Sequence, residues 1–169
     1  HDLDLSGKRV AVIGTGASAI QFVPQIQPKV ASLSLFQRSA AYVLAKPDRR
    51  YRRWEIALKQ RWPIWQRADR LLQYLHHEGR AVAFIRFPWL MRLFRHSFIR
   101  HLRRQMPDAG KRALLQPDYT MGCKRILISN DYFPALAQAN VEIVDAAIRE
   151  VREHSLVTAD GREHPCDVL

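Results

Sequence analysis

The sequence predicts an α/β fold, a doubly wound parallel sheet interrupted by an Arg-rich helical insertion. Three observations lead there. A β-prone run, a Gly turn and a helical pattern follow one another within residues 8–45. A similar strand and helix texture returns over residues 116–169. Between them, residues 49–115 carry helical apolar spacing and a dense block of cations. Strands alternating with helices build a parallel sheet with crossover helices. The expected boundaries are therefore 1–48 with 116–169 for the α/β domain, and 49–115 for the helical insertion.

Each element has a local reason. "RVAVIG" reads as a strand, Ser18 to Gln27 as a helix and "SLSLFQ" as a second strand. Pro28 ends the helix, because proline cannot continue its hydrogen-bond ladder, while Pro24 either bends it or is tolerated near its first turn. The loop "AKPDRR" closes this zone. In the insertion, Trp54, Leu58, Trp65, Leu72 and Leu75 recur at near-helical spacing, as do Leu90, Leu93, Phe94, Phe98 and Leu102. Pro88, in "RFPWLM", should break the segment, leaving two or three amphipathic helices. Beyond them "CKRILIS" reads as a strand, "DYFPALAQA" as a short helix and "VEIVD" as a strand. The final stretch alternates around Asp160-Gly161, a turn pair suited to a hairpin.

The totals exclude several classes. With 169 residues, 47% hydrophobic and 25% charged, the composition is that of a soluble globular chain of one domain or one and a half. No apolar run spans a bilayer and no signal peptide leads the sequence. Cys123 and Cys166 form neither a disulfide framework nor a metal spacing, which points to buried thiols in a reducing, cytoplasmic setting. The net charge of +11 is concentrated from Lys46 to Arg112, where 18 Lys and Arg face five acids. Such a block is either a nucleic-acid or anionic-membrane surface, or the solvated face of helices packed on the rest of the protein. The chain opens on His1 and stops at "HPCDVL" just as an apolar strand begins, so both ends read as cut from a larger protein.

The chemistry begins at Gly14-Thr15-Gly16-Ala17-Ser18-Ala19. A Gly-x-Gly-x-x-Ala pattern that follows a strand and opens a helix is the context of a dinucleotide-binding turn. Gly14 allows the tight turn, Gly16 the close approach of a pyrophosphate, and Ala19 the packing of helix on strand. The first-turn amides around Ala17 and Ser18 then face phosphates, with the helix dipole behind them. The plainer alternative is a strand–turn–helix whose glycines serve packing alone. An NAD site expects a carboxylate at the end of the second strand. Here Gln37-Arg38-Ser39 stands instead, so Arg38 offers a guanidinium fork and Ser39 a hydroxyl where a 2′-phosphate would lie. The rival is a surface arginine in an Arg-rich chain. Lys124-Arg125, two cations at the mouth of a strand, are by physics alone either an anion site or a solvated edge.

Taken in order, "GKRVAVIGTGASAIQFVPQI", "FQRSAAYVLAKPDR", "PDYTMGCKRILISNDYFPAL" and the late "ADG" turn resemble the NADP-binding domain of the Baeyer–Villiger monooxygenases. These are class B flavoprotein monooxygenases, relatives of the flavin-containing monooxygenases, built from two dinucleotide-binding domains. The resemblance covers essentially the whole chain. It implies a Rossmann-like NADP domain and an enzyme that converts ketones to esters or lactones with NADPH and O2, through a C4a-peroxyflavin. It further implies that Gly14, Thr15, Gly16, Ala17, Ser18, Ala19, Ile20 and Gln21 wrap the NADP pyrophosphate and ribose, and that Arg38, Ser39 and Lys124 hold the 2′-phosphate. Arg125 would be the catalytic arginine beside flavin and nicotinamide, a permanent cation where negative charge develops. The family's FAD motifs are absent here, so FAD is expected on the partner FAD domain, and this chain alone is not expected to oxygenate.

Other features read as structural. His76-His77 beside Glu78, and the lone His96 and His101, lack a further ligand at helical spacing, and no metal is expected. Asp131 reads as a helix cap. Trp54, Trp62, Trp65 and Trp89 read as core or domain-interface packing rather than a membrane-interface set. The competing functions are an N- or S-oxidising flavin monooxygenase, a flavin disulfide reductase (which needs a CxxC pair this chain lacks), and a basic module for nucleic acid or anionic lipid. No nucleic-acid partner is expected.

Overall fold

The apolar run Arg9–Ile13 forms strand β1, Ala19–Ile26 helix α1, and Ser32–Phe36 strand β2. The chain continues through β3 (Val43–Leu44), α2 (Arg53–Arg61), α3 (Pro63–Arg86), α4 (Met91–Gln105) and α5 (Ala109–Leu114). Then follow β4 (Leu127–Ile128), α6 (Tyr132–Leu136), β5 (Val141–Val144), β6 (Ile148–Val151), β7 (Ser155–Thr158) and β8 (Glu163–Pro165). The computed structural model describes residues 3–87, 89 and 91–169. The expectations at His1-Asp2, Pro88 and Leu90 lie outside the described residues. Two compact units emerge: His1–Lys46 with His96–Leu169, and Pro47–Arg95.

In the first unit β1 pairs in parallel with β2 and β2 with β5, so β2 is the central strand. Parallel strands covered by helices read as largely apolar runs. Accordingly Val10, Ala11, Val12, Leu33, Leu35, Phe36, Val141, Ile143 and Val144 are all buried. Helix α1 lies against α6, with Val23 and Leu136 fully buried. Pro24 sits inside α1, and the helix ends at Ile26, two residues before Pro28. The last residues join the other edge of β1. Val168 bridges Val10 in parallel, and the Asp167 carboxylate takes two bonds from the Arg9 guanidinium at 2.6 and 3.1 Å.

A single doubly wound sheet does not form among the described residues. The strands divide into three sheets: the parallel β1-β2-β5, a two-stranded parallel β3-β4, and an antiparallel β6-β7-β8. The reason is connection length, because the short links around β7 permit only antiparallel neighbours, whereas parallel pairing needs a long crossover. At the tip of the β7–β8 hairpin Gly161 takes φ +85°, and the Thr158 hydroxyl donates to Asp160 at 2.5 Å. Strand β6 escaped the sequence reading because "IREV" is largely exposed and lacks an apolar alternation.

The helices of the expected 49–115 insertion are shared between the two units, and one break between the units lies within them. It falls inside α4, after Arg95. The second half of α4 buries Phe98 and Leu102, four residues apart on one face, followed by Met106, all at 1% exposure or less. The Phe98 ring meets Tyr42 edge-on at 5.0 Å and Phe133 at 6.3 Å. Lys111 of α5 donates to the carbonyls of Leu136, Gln138 and Val141 at 3.1, 2.9 and 2.7 Å, a cation placed on the negative end of α6.

The second unit holds α2, α3 and the first residues of α4. The Glu55 carboxylate accepts from the Arg52 amide at 2.7 Å and from both Arg49 guanidinium nitrogens at 2.8 Å, which anchors the start of α2. A Lys59–Asp69 ion pair ties α2 to α3. Core packing of the tryptophans is overturned, since Trp54, Trp62, Trp65 and Trp89 are 59%, 57%, 52% and 61% exposed. Among the described residues no helix is long and apolar enough to cross a membrane.

Candidate functional site

The turn between β1 and α1 opens the site. Gly14 takes φ +99°, a conformation that costs glycine little and other residues a good deal, and its amide donates to Phe36 O at 2.8 Å. That bond pins the turn to the end of β2. The first amides to donate back along the helix are those of Ile20, to Gly16 O at 3.2 Å, and Gln21, to Ser18 O at 3.0 Å. The preceding amides are the orphan donors that every helix start presents. A Cβ placed on Gly16 would meet nothing within 4 Å, so the turn faces open space there.

Three distant segments converge on this turn. The Thr15 hydroxyl donates to Ser39 O at 3.3 Å, Lys124 Nζ donates to Ser39 Oγ at 2.7 Å, and the Lys124 ammonium stands 4.4 Å from the centre of the Tyr119 ring. Together they wall a cavity of about 280 Å³ lined by Thr15, Gly16, Ala17, Ser39, Ala40, Ala41, Tyr119, Lys124, Arg125 and Leu127. Two cations, three hydroxyls and a helix start line it, and no carboxylate does. A lining of this kind can accept an anion such as a phosphate ester.

Of the residues singled out from sequence, Thr15, Gly16, Ala17, Ser39, Lys124 and Arg125 share this cavity. Arg38 borders a neighbouring one of about 320 Å³, with Ile13, Phe36, Gln37, Asp145, Ala146, Ala147 and Ile148. Gln37 is buried there; its amide nitrogen donates to Leu114 O at 2.8 Å, and its Oε1 has no partner among the described residues. Ser18 and Gln21 are exposed on the helix start, whereas the Ala19 and Ile20 side chains are buried, leaving only their backbone to a ligand. Sequence reasoning missed Tyr119. Its only signal was its place five residues before Lys124 in "PDYTMGCKR", which no periodicity marks.

Both cavities lie past the carboxyl ends of β1 and β2, where ligands of open parallel sheets bind. A larger cavity of about 530 Å³ lies at the opposite, starting end of β2 and β5. There Arg9 pairs with Asp167 at 2.6 Å and Arg162 with Asp160 at 2.6 Å, while His164 Nδ1 stands 3.3 Å from a Glu142 carboxylate oxygen.

Other assignments change. The Asp131 side chain does not cap α6; instead Ser129 Oγ accepts from the amides of Asp131 and Tyr132 at 3.3 and 3.2 Å. His101 is half-buried beside the Phe133 ring at 5.7 Å, and burial pushes its pKa down. The thiols divide, for Cys166 is buried and its pKa raised by that burial, while Cys123 is exposed. Among the described residues no cluster of three or more His, Cys, Asp or Glu is arranged to hold a metal.

No protein-family model matches the chain. All 169 residues align with a Baeyer–Villiger monooxygenase of Pseudomonas aeruginosa at 48% identity, covering 32% of that protein. They align equally completely with a Baeyer–Villiger monooxygenase of Streptomyces coelicolor at 45% identity, covering 33% of it. The solved structure of an oxidized steroid monooxygenase bound to NADP superposes with a TM-score of 0.79 at 27% identity, over 98% of this chain and 38% of that one. The chain thus spans about a third of the length of the curated relatives it matches.

Proposed function

Because the chain belongs with the Baeyer–Villiger monooxygenases over its whole length, we propose that it binds NADP(H) within an FAD-dependent enzyme of that kind. The observation that carries the proposal is the meeting of Lys124 with Ser39 at 2.7 Å on the rim of the Gly turn. A cation and a hydroxyl joined there, with no carboxylate in the lining, suit a ribose 2′-phosphate and repel nothing about it. The parallel order β1-β2-β5 with the turn at its carboxyl end supports a Rossmann-like reading of the domain.

In this reading the amides and small side chains from Gly14 to Gln21 hold the pyrophosphate and ribose. Ser39 and Lys124 hold the 2′-phosphate, and Arg38 reaches it from the neighbouring cavity, whose mixed lining suits the adenosine end. Arg125 offers a permanent guanidinium where negative charge gathers during oxygenation. When bound, NADPH supplies the hydride with which such a flavoenzyme turns a ketone and O2 into an ester or lactone. FAD and the ketone are then held largely by other parts of the enzyme.

The test is calorimetric titration of the chain with NADP+ and NAD+. Clear preference for NADP+, reduced by Arg38→Ala or Lys124→Ala, is the expected result; equal affinities overturn the 2′-phosphate assignment.

A further inference from the structure

We propose that Tyr119 is a specificity-positioning residue, whose ring holds the Lys124 ammonium against Ser39 and thereby strengthens preference for a ligand bearing a phosphate monoester over one bearing a free hydroxyl. The proposal rests on the 2′-phosphate reading above. Lysine carries a compact charge on a flexible four-carbon stem, so an exposed Lys124 has many rotamers to lose when it meets an anion. The structure restrains it on two sides before any ligand arrives. Ser39 Oγ takes one N–H at 2.7 Å, and the Tyr119 ring centre lies 4.4 Å from the same nitrogen. A charge already held in place gives up less freedom on binding, and the saving appears as affinity.

Tyr119 is itself well anchored. Its ring stands edge-on to the buried Tyr42 ring at 5.4 Å, and its backbone carbonyl accepts the Tyr42 hydroxyl at 2.9 Å. The second contact uses the backbone, so it survives any substitution of the Tyr119 side chain. Burial raises the Tyr119 phenol pKa, so the group stays neutral and places no competing anion beside Lys124.

The experiment titrates the full chain, as wild type, Tyr119→Phe and Tyr119→Leu, with NADP+ and NAD+. Tyr119→Phe keeps the ring and should keep the wild-type preference. Tyr119→Leu should lose about threefold to fivefold in NADP+ affinity, the scale of a partly exposed cation–π contact, with NAD+ affinity unchanged. Full retention of the preference in Tyr119→Leu, or equal weakening of both ligands, overturns the role of Tyr119 while leaving the cavity assignment intact. A wild-type chain that binds both ligands equally overturns the cavity assignment, and this proposal with it. Should Tyr119→Leu fail to fold, NMR of the wild type decides: the Lys124 ε-methylene protons should be shifted upfield by the ring, and a random-coil shift sinks the proposal.

Discussion

Lys124 Nζ and Ser39 Oγ lie 2.7 Å apart across 85 residues of sequence, and this pair closes the cavity at the end of the parallel sheet. Removing the cation should therefore act on the ligand's phosphate and little else. Lys124→Ala is expected to weaken NADP+ binding by about tenfold to a hundredfold, the usual cost of losing a charge-assisted hydrogen bond. Binding of NAD+ should change little, and parallel titrations of the two nucleotides check it.

Arg125 lines the same cavity, so its role separates from that of Lys124 by kinetics. In the complete enzyme, Arg125→Ala should still allow NADPH to reduce the flavin while ester formation falls by about a hundredfold or more, the scale of losing one electrostatic stabiliser of developing charge. Stopped-flow flavin reduction and product analysis by gas chromatography read the two steps independently. Unchanged ester yield would remove Arg125 from the chemistry.

Gly14 at φ +99° leaves no comfortable conformation for a side chain. Nothing crowds the position, so Gly14→Ala should cost backbone strain alone, about 1–2 kcal/mol. A modest drop in melting temperature together with weaker NADP+ binding is the expected outcome.

Lys111 joins three carbonyls at the end of α6 and the start of β5. Lys111→Met keeps the apolar stem and deletes the donor, so it should destabilise the α/β unit by about 2 kcal/mol in urea unfolding. Lys111→Arg should recover only part of that, because a planar fork does not reproduce a three-way ammonium contact.

Glu55 supplies a pH signature. The two Arg49 nitrogens, and then the Arg52 amide, hold its carboxyl down to about 2 from an ordinary 4.5. A carboxylate depressed in the folded state stabilises it fully above the ordinary value and progressively less as pH falls toward the folded one. The helical signal of α2 and α3 should thus weaken between pH 4.5 and about 2. Circular dichroism across that range measures it, and Glu55→Gln should remove this part of the acid dependence.

Local chemistry was readable from residues alone. The β1–turn–α1 succession, the end of α1 ahead of Pro28, the hairpin at Asp160-Gly161 and the cationic character of Arg38 and Lys124-Arg125 all rest on near neighbours, whose propensities and charges travel with the chain. Packing decided the rest. No local pattern states that β2 is the central strand, that β6, β7 and β8 leave for a sheet of their own, or that α4 changes units at residue 95. The exposure of Trp54, Trp62, Trp65 and Trp89 was equally hidden, because an aromatic at helical spacing looks the same whether or not another surface covers it. Lys124 and Arg125 began as two cations with even claims to a site or a solvated edge. Their place in one cavity with Ser39, Thr15 and Tyr119 came from the tertiary structure, since contacts between segments many residues apart depend on how those segments pack.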